Sequence, residues 1–289
     1  MDILKQDLVH GLCLLVGIIC NYVTMVLYLF SNKKYILTNK SNMVYCEKGI
    51  FSYMKSAHLT DKKIISISGS GYYGFYNLGV CSYIKEHYDT SNYLFTGTSS
   101  GAWNSLFMTL KNNEKNDKMN DKMNDKIKKM KKILMQNELY KNKNAKQILE
   151  TIKKNILRKY TVDDFDLSRL FIGLTTVGKT HIHTEFDNLE DVLQCCLSSS
   201  NVPFISGSIF TTYRNASAFD GIFCKSPFLT TNENVLYIHH TMWNKNKNKE
   251  FNLFTPNFFN LEELYEKGYQ DTALYGKEKL DKLFTPIVF

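Results

Sequence analysis

The sequence predicts an α/β fold in which helices pack on a largely parallel central sheet. Strand-like runs alternate with helix-like runs through the middle of the chain, a pattern typical of parallel sheets. Two of the strand-like runs lead directly into glycine-containing loops, and a helix-like run follows each loop. The chain has 289 residues, 44% of them apolar, which is enough for one such domain with appendages.

The first element is an apolar run of 20 residues, Gly11 to Phe30, with only two polar interruptions. A helix that rises about 1.5 Å per residue would span roughly 30 Å over this length, the thickness of one hydrocarbon core. The residues that follow, Ser31 to Lys34, do not form the cleavage site that ends a signal peptide. We therefore expect residues 1–34 to form an uncleaved transmembrane helix rather than a signal peptide or a buried helix, with residues 35–61 as a tether.

Charges on either side of this run predict its orientation. Lys33 and Lys34 follow the run, whereas Asp2 and Asp7 flank the single Lys5 before it. The positive-inside rule then places the larger domain in the cytosol, as part of a single-pass membrane protein. The seven cysteines lack the spacing of a disulfide framework or a zinc site, which agrees with a reducing compartment.

The next element is a strand, Ile64 to Ser68, that runs into the glycine loop Gly69-Ser70-Gly71-Tyr72-Tyr73-Gly74. Such a loop exposes backbone N–H groups, which are the donors that an acyl-transfer oxyanion requires. The candidate oxyanion-hole residues are Gly69, Ser70, Gly71 and Gly74.

A second strand, Tyr93 to Thr96, leads into Gly97-Thr98-Ser99-Ser100-Gly101, a G-x-S-x-G nucleophile elbow. Gly97 and Gly101 are expected because the turn is sharp and strained, and side chains there would clash. The turn would expose Ser99 Oγ at the start of a helix, which makes Ser99 the candidate nucleophile. An amphipathic stretch joins the two motifs, with apolar positions at Leu78, Val80, Cys81 and Ile84.

Together these motifs resemble the patatin-like phospholipase family. The run from Gly69 to Val80 is most similar to the adipose triglyceride lipase and adiponutrin branch, which has an aromatic residue after G-x-G. The resemblance extends from about Lys62 to Leu229, with weaker similarities at Cys195–Pro203 and Lys267–Asp271. It implies a three-layer α/β/α acyl hydrolase domain over residues 62–232.

The family uses a Ser–Asp dyad whose aspartate lies in a D-G-[GA] motif, and Asp220-Gly221-Ile222 matches it except at the last position. The resemblance therefore implies Ser99 as nucleophile and Asp220 as proton acceptor, with no metal or organic cofactor. It also implies membrane phospholipids or lipid-droplet acylglycerols as substrates. A β-branched residue disfavours positive φ, so Ile222 raises the alternative of a lipid-binding or scaffolding relative that has lost catalysis.

A second alternative keeps the hydrolase and changes the base. Ser99, Asp220 and either His239 or His240 follow the chain order of an α/β-hydrolase triad. The position of the glycine loop argues against this alternative. The loop follows the strand immediately before the elbow strand, which is too close in sequence for the usual oxyanion loop of an α/β-hydrolase. The histidine pair is therefore interpreted as a structural feature at a strand end.

After the Ser99 helix, residues 112–150 are rich in asparagine and lysine and contain a four-residue repeat that begins at Asn116. The chain has a net charge of +8, while residues 111–159 hold 16 Lys/Arg against 6 Asp/Glu. The repeat places one set of apolar residues near one helical face: Met119, Met123, Ile127, Met130 and Leu134. Such a helix could lie at a membrane interface. The favoured interpretation is a solvated insertion that is dispensable for the fold, because charge-rich repeats are commonly flexible.

The remaining chain adds strands. Phe171–Thr176 and His181–Phe186 are predicted to form a hairpin, and Asn234–Thr241 a further strand. We expect residues 233–289 to form a C-terminal extension that packs on the domain or contacts lipid.

Two classes of ligand are not expected. Base readout in nucleic acids favours arginine, and the chain has only Arg158, Arg169 and Arg214. His181 and His183 lie on one face of a predicted strand, but no third ligand accompanies them, so no metal site is expected.

Overall fold

The computed structural model describes residues 53–111, 117–135, 144–176, 179–203, 206, 211–221, 228–229, 234–243 and 260–287. The predicted transmembrane helix and residues 35–52 of the tether lie outside these ranges. Within the described ranges, no helix is both long enough and apolar enough to cross a membrane.

Strands and helices follow one another in the order that the sequence predicts for an α/β domain. The strands are β1 (Lys63–Ile67), β2 (Tyr88–Asp89), β3 (Tyr93–Gly97), β4 (Leu170–Thr176), β5 (Lys179–His183), β6 (Thr211–Tyr213), β7 (Ala216–Phe219), β8 (Asn234–Ile238) and β9 (Thr285–Pro286). The helices are α1 (Gly74–His87), α2 (Ser100–Met108), α3 (Asp117–Leu134), α4 (Ala145–Lys159), α5 (Leu189–Ser199), α6 (Leu261–Tyr275) and α7 (Lys277–Leu283).

The central sheet is mixed, with a parallel centre. Its strand order is β6-β7-β4-β3-β1-β8, and β5 pairs with β4. The four strands β8, β1, β3 and β4 are parallel, whereas β5, β6 and β7 pair antiparallel at the β4 side. The parallel register aligns Ile67 with Gly97, so the glycine loop and the elbow leave the sheet at the same edge. The α/β prediction and the β4–β5 hairpin are confirmed.

Side chains on both faces of the sheet are buried. On one face, Ile65, Phe95 and Ile172 belong to the large core that also includes residues of helices α1 to α6. On the other face, Ile64, Leu94 and Phe171 form a smaller core. In the described part of the chain, a short segment from Met54 to Leu59, with Ile182 and Leu229, completes that smaller core.

The charged repeat is not a solvated insertion where the structure describes it. On α3, Ile127 is 2% exposed and Met130 is fully buried, and Ile133 and Leu134 are also buried. The predicted apolar face is therefore confirmed for Ile127, Met130 and Leu134. The interpretation of this stretch as solvated was wrong at these positions, because periodic apolar residues give the charged helix one face that packs in the core. That the stretch is dispensable for the fold stays a prediction.

The C-terminal region belongs to the same domain. β8 pairs with β1 as the last strand of the described sheet, and α6 packs closely on α1. A Cβ on Gly79 would lie 2.7 Å from the Tyr269 backbone nitrogen, and one on Gly268 would lie 2.8 Å from the Tyr76 carbonyl carbon. Tyr76 Oη donates a 2.8 Å hydrogen bond to Asp271. The described parts of residues 233–289 therefore pack within the α/β domain and do not form a separate extension after residue 232.

Candidate active site

The elbow has the strained geometry that its sequence predicts. β3 ends at Gly97, α2 begins at Ser100, and Ser99 between them has φ 53° and ψ −130°. Few residues other than glycine adopt positive φ, and they persist only where their surroundings fix them. Close backbone packing supplies that constraint, since a Cβ on Gly101 would lie 2.8 Å from the Ser68 carbonyl oxygen. Ser99 is only 7% exposed.

Ser199, at the end of α5, holds the nucleophile's own backbone. The Ser99 N–H donates to Ser199 Oγ at 2.8 Å, and Ser199 Oγ donates to the Gly173 carbonyl at 2.7 Å. The hydroxyl therefore connects the elbow to β4. Sequence reasoning noted the serine-rich segment only as a family similarity and missed this role. Nothing in the sequence pairs a serine with a backbone N–H 100 residues away.

Asp220 is fully buried beside the elbow. Its N–H donates to the Asn201 carbonyl at 2.9 Å, and its own carbonyl accepts from Thr175 Oγ1 at 2.8 Å. Gly221 packs directly on Thr98: a Cβ on Gly221 would overlap Thr98 Oγ1 and lie 2.7 Å from the Gly173 carbonyl oxygen. Glycine is required here by space. The structure thus brings the Asp-Gly pair against the residue that precedes Ser99.

Ile222, the departure from the family motif, lies outside the described residues.

Two of the four candidate N–H donors of the glycine loop already have acceptors within the protein. Gly71 has φ 52° and begins a 3₁₀ turn over Gly71–Tyr73, in which the Gly74 N–H donates to the Gly71 carbonyl. The Ser70 N–H donates to Ser100 Oγ at 3.0 Å. The N–H groups of Gly69 and Gly71 donate to no acceptor within the described ranges, so these two are the candidate backbone donors that remain.

Buried polar side chains support this loop. Ser68 Oγ and Ser70 Oγ share a 2.8 Å hydrogen bond, and Asn77 Nδ2 donates to Ser70 Oγ at 3.3 Å. Asn104 Nδ2, on the elbow helix, donates to the Gly74 carbonyl at 2.9 Å. Hydrogen bonds from Ser70 to Ser100 and from Asn104 to Gly74 therefore connect the loop to the elbow helix.

Ser99 opens into a cavity of about 140 Å³ whose walls are mostly apolar. The glycine loop contributes Gly71 and Gly74, and α2 contributes Ser100 and Asn104. The apolar lining comes from α1, α2, α3, α4 and the segment after α5, and includes Phe75, Leu78, Trp103, Leu134, Ile148, Leu149, Ile152 and Val202. Both helices of the charged stretch thus form part of the cavity wall.

The histidines of the alternative triad occupy other positions. The His240 ring stacks on Tyr73 with 4.7 Å between centroids, and His239 Nδ1 lies 3.0 Å from Thr241 Oγ1. Burial lowers the pKa of both imidazoles, and His240 and Lys279 further lower that of His239. Neither histidine lines the cavity that contains Ser99.

The described residues contain no group of three or more His, Cys, Asp or Glu side chains that could hold a metal ion. His181 and His183 face the same side of β5 with ring centroids 6.2 Å apart.

Comparison with known proteins identifies the domain. A sequence model of the family described as Patatin-like phospholipase matches residues 65–231, more than half of the chain. A search of curated proteins finds no match. The family match does not select a branch, so the similarity to the adipose triglyceride lipase and adiponutrin branch stays a prediction.

Proposed function

Because the chain belongs to the patatin-like phospholipase family, we propose that it hydrolyses lipid acyl esters with Ser99 as nucleophile and Asp220 as base. One observation carries the proposal. Gly221 packs on Thr98, so the fully buried Asp220 follows a strand that ends beside the elbow of Ser99. A carboxylate removed from water is a stronger base than one in solvent, which suits the activation of a serine hydroxyl.

In this mechanism Ser99 Oγ attacks the ester carbonyl carbon while Asp220 accepts the hydroxyl proton. The carbonyl π electrons move to oxygen, and the Gly69 and Gly71 N–H groups stabilise the resulting oxyanion. Collapse breaks the C–O bond, and the alcohol leaves with the proton from Asp220. A water molecule then attacks acyl-Ser99, giving one proton to Asp220, which returns it to Ser99 Oγ as the fatty acid leaves.

The cavity supports a fatty acyl ester as the substrate. Its apolar walls, including Leu78, Trp103 and Ile152, suit a hydrocarbon chain, and Ser99 lines the same cavity. We propose membrane phospholipids or lipid-droplet acylglycerols as the source of that chain.

We further propose that the protein acts at a membrane surface, held by a transmembrane helix over Gly11–Phe30 with the catalytic domain in the cytosol. The outer face of α3 supports contact with anionic lipid, since Lys128, Lys129 and Lys132 are exposed there. Of the three, only Lys129 forms an ion pair with a described residue, the exposed Asp125.

The expressed protein should remain with membranes after a carbonate wash, and a chain that begins near Tyr35 should not. In sealed microsomes, external protease should digest the domain; protection of the domain would contradict the orientation.

A serine-directed fluorophosphonate tests the nucleophile. Wild type should be labelled and Ser99→Ala should not. Ser105→Ala is the matched control, because Ser105 is buried on the same helix and its hydroxyl has no hydrogen-bond partner among the described residues. Equal labelling of wild type and Ser99→Ala would refute the assignment. Absence of labelling in the folded wild type would favour the lipid-binding relative that has lost catalysis.

Two further variants test the base. Asp220→Asn should abolish ester hydrolysis, whereas the double change His239→Ala and His240→Ala should leave most of it. A loss of several hundredfold in the folded histidine variant would favour a triad instead.

A further inference from the structure

The residue after the nucleophile occupies an unusual position. Ser100 is the first residue of α2 and lines the same cavity as Ser99. Its side chain lies in the space that a Cβ on Gly74 would fill, with Ser100 Oγ 2.7 Å from that point. The glycine loop and the elbow therefore meet at this hydroxyl, and the absence of a side chain at Gly74 makes room for it.

The hydrogen bonding of Ser100 Oγ is one-sided. It accepts from the Ser70 N–H at 3.0 Å, and its own proton has no acceptor among the described residues. A serine hydroxyl carries one donor and two acceptor positions, so this arrangement leaves the donor available to the cavity. It also removes the Ser70 N–H from the set of groups that could meet an oxyanion directly.

We propose that the Ser100 hydroxyl is a donor of the oxyanion hole and replaces the Ser70 N–H that it accepts from. This inference rests on the proposed function. As Ser99 Oγ attacks, the ester carbonyl oxygen gains negative charge, and the Ser100 O–H donates to that oxygen. No bond to Ser100 breaks, and the proton stays on Ser100.

Two physical effects make this donor strong. The Ser70 N–H polarises the hydroxyl through the 3.0 Å bond, and chains of hydrogen bonds strengthen one another in low-dielectric surroundings. The hydroxyl is also fixed before substrate arrives, so little reorganisation is needed when charge develops. Loss of one such donor in a studied protease lowers kcat by about 10²–10³-fold.

The test compares Ser100→Ala with Ser100→Thr in the detergent-solubilised full chain, using a soluble fatty acyl ester. Ser100→Ala should lower kcat by about 10²-fold with little change in KM, the pattern of an interaction made only in the transition state. Ser100→Thr keeps the hydroxyl and should recover most of the rate. A kcat of Ser100→Ala equal to that of wild type, or a threonine variant as slow as the alanine variant, would overturn the proposal.

A pair of inhibitors separates this role from a structural one. A fatty alkyl trifluoromethyl ketone forms a hemiketal oxyanion with Ser99, whereas the matching methyl ketone binds mainly as the uncharged ketone. Ser100→Ala should weaken the first by about 10²-fold and leave the second unchanged, because only the first needs the oxyanion donor. Equal weakening of both would show that Ser100 only holds the fold.

The same assay distinguishes the two proposals. If wild type forms no Ser99-dependent adduct, the proposed function fails and this inference fails with it. If wild type forms the adduct and Ser100→Ala forms it equally tightly, only the inference about Ser100 fails.

Discussion

Met130→Ala tests whether the charged helix α3 is part of the core. Met130 is fully buried, within the same core cluster as the sheet residues Ile65 and Phe95. Truncation of a buried methionine to alanine removes its packing and leaves a cavity, at a cost of about 2–5 kcal/mol. We expect the free energy of unfolding to fall by about 3 kcal/mol, measured by urea denaturation with an unchanged m-value.

The control is Lys128→Ala, two residues away on the exposed face of the same helix. It should change the free energy of unfolding by no more than about 0.5 kcal/mol, the usual range for surface substitutions. A Met130→Ala effect as small as that of the control would refute the packing. The stretch would then be the solvated insertion that its composition suggests. Leu134 of the same helix lines the cavity, so that result would also mean that α3 does not form part of the cavity wall.

Three further predictions concern the domain around the site. Lys85 is buried, with its ammonium donating to the Met108 and Leu110 carbonyls, and burial lowers its pKa from 10.5 to about 7. Unfolding therefore takes up a proton at Lys85 between about pH 7 and 10.5, so the contribution of this side chain to the free energy of unfolding should rise with pH over this window. In urea titrations, the free energy of unfolding of wild type relative to Lys85→Met should therefore be higher at pH 9.5 than at pH 7.5; a difference that does not change with pH would contradict this origin. Gly221→Ala should lower kcat/KM by about 10²-fold, because its Cβ would displace the Asp-Gly turn from the elbow. Activity near wild type would show that the turn tolerates the shift. Gly268→Ala should lower the free energy of unfolding by about 1–3 kcal/mol, because α6 must move away from α1. A stability equal to wild type would show that the two helices separate without cost.

The local motifs of the site could be predicted from the sequence because their geometry is encoded in short runs. A strand followed by glycines, and G-x-S-x-G after a second strand, placed the loop and the elbow at the ends of adjacent parallel strands, as observed. The positive φ of Ser99 follows from the same motif. The apolar face of α3 was also predicted correctly at Ile127, Met130 and Leu134, since periodicity depends only on spacing. Composition then suggested the wrong environment for that face.

The contacts that complete the site depend on residues far apart in the chain. Ser199 Oγ accepts a hydrogen bond from the Ser99 N–H, 100 residues away in the sequence. Ser100 Oγ accepts one from the Ser70 N–H, 30 residues away. No pattern of spacing encodes such pairs, because the folded sheet and its packed helices decide which hydroxyl meets which N–H.

By itself, the sequence determined the α/β class, the elbow and its glycine loop, because each rests on backbone preferences within a few residues. Only the tertiary structure decided that the Asp-Gly turn lies against Thr98, that α3 and α4 wall the cavity, and that β8 joins the central sheet. The physical reason is that burial and hydrogen-bond pairing depend on the whole packed chain, whereas a turn or a strand depends on its own few residues.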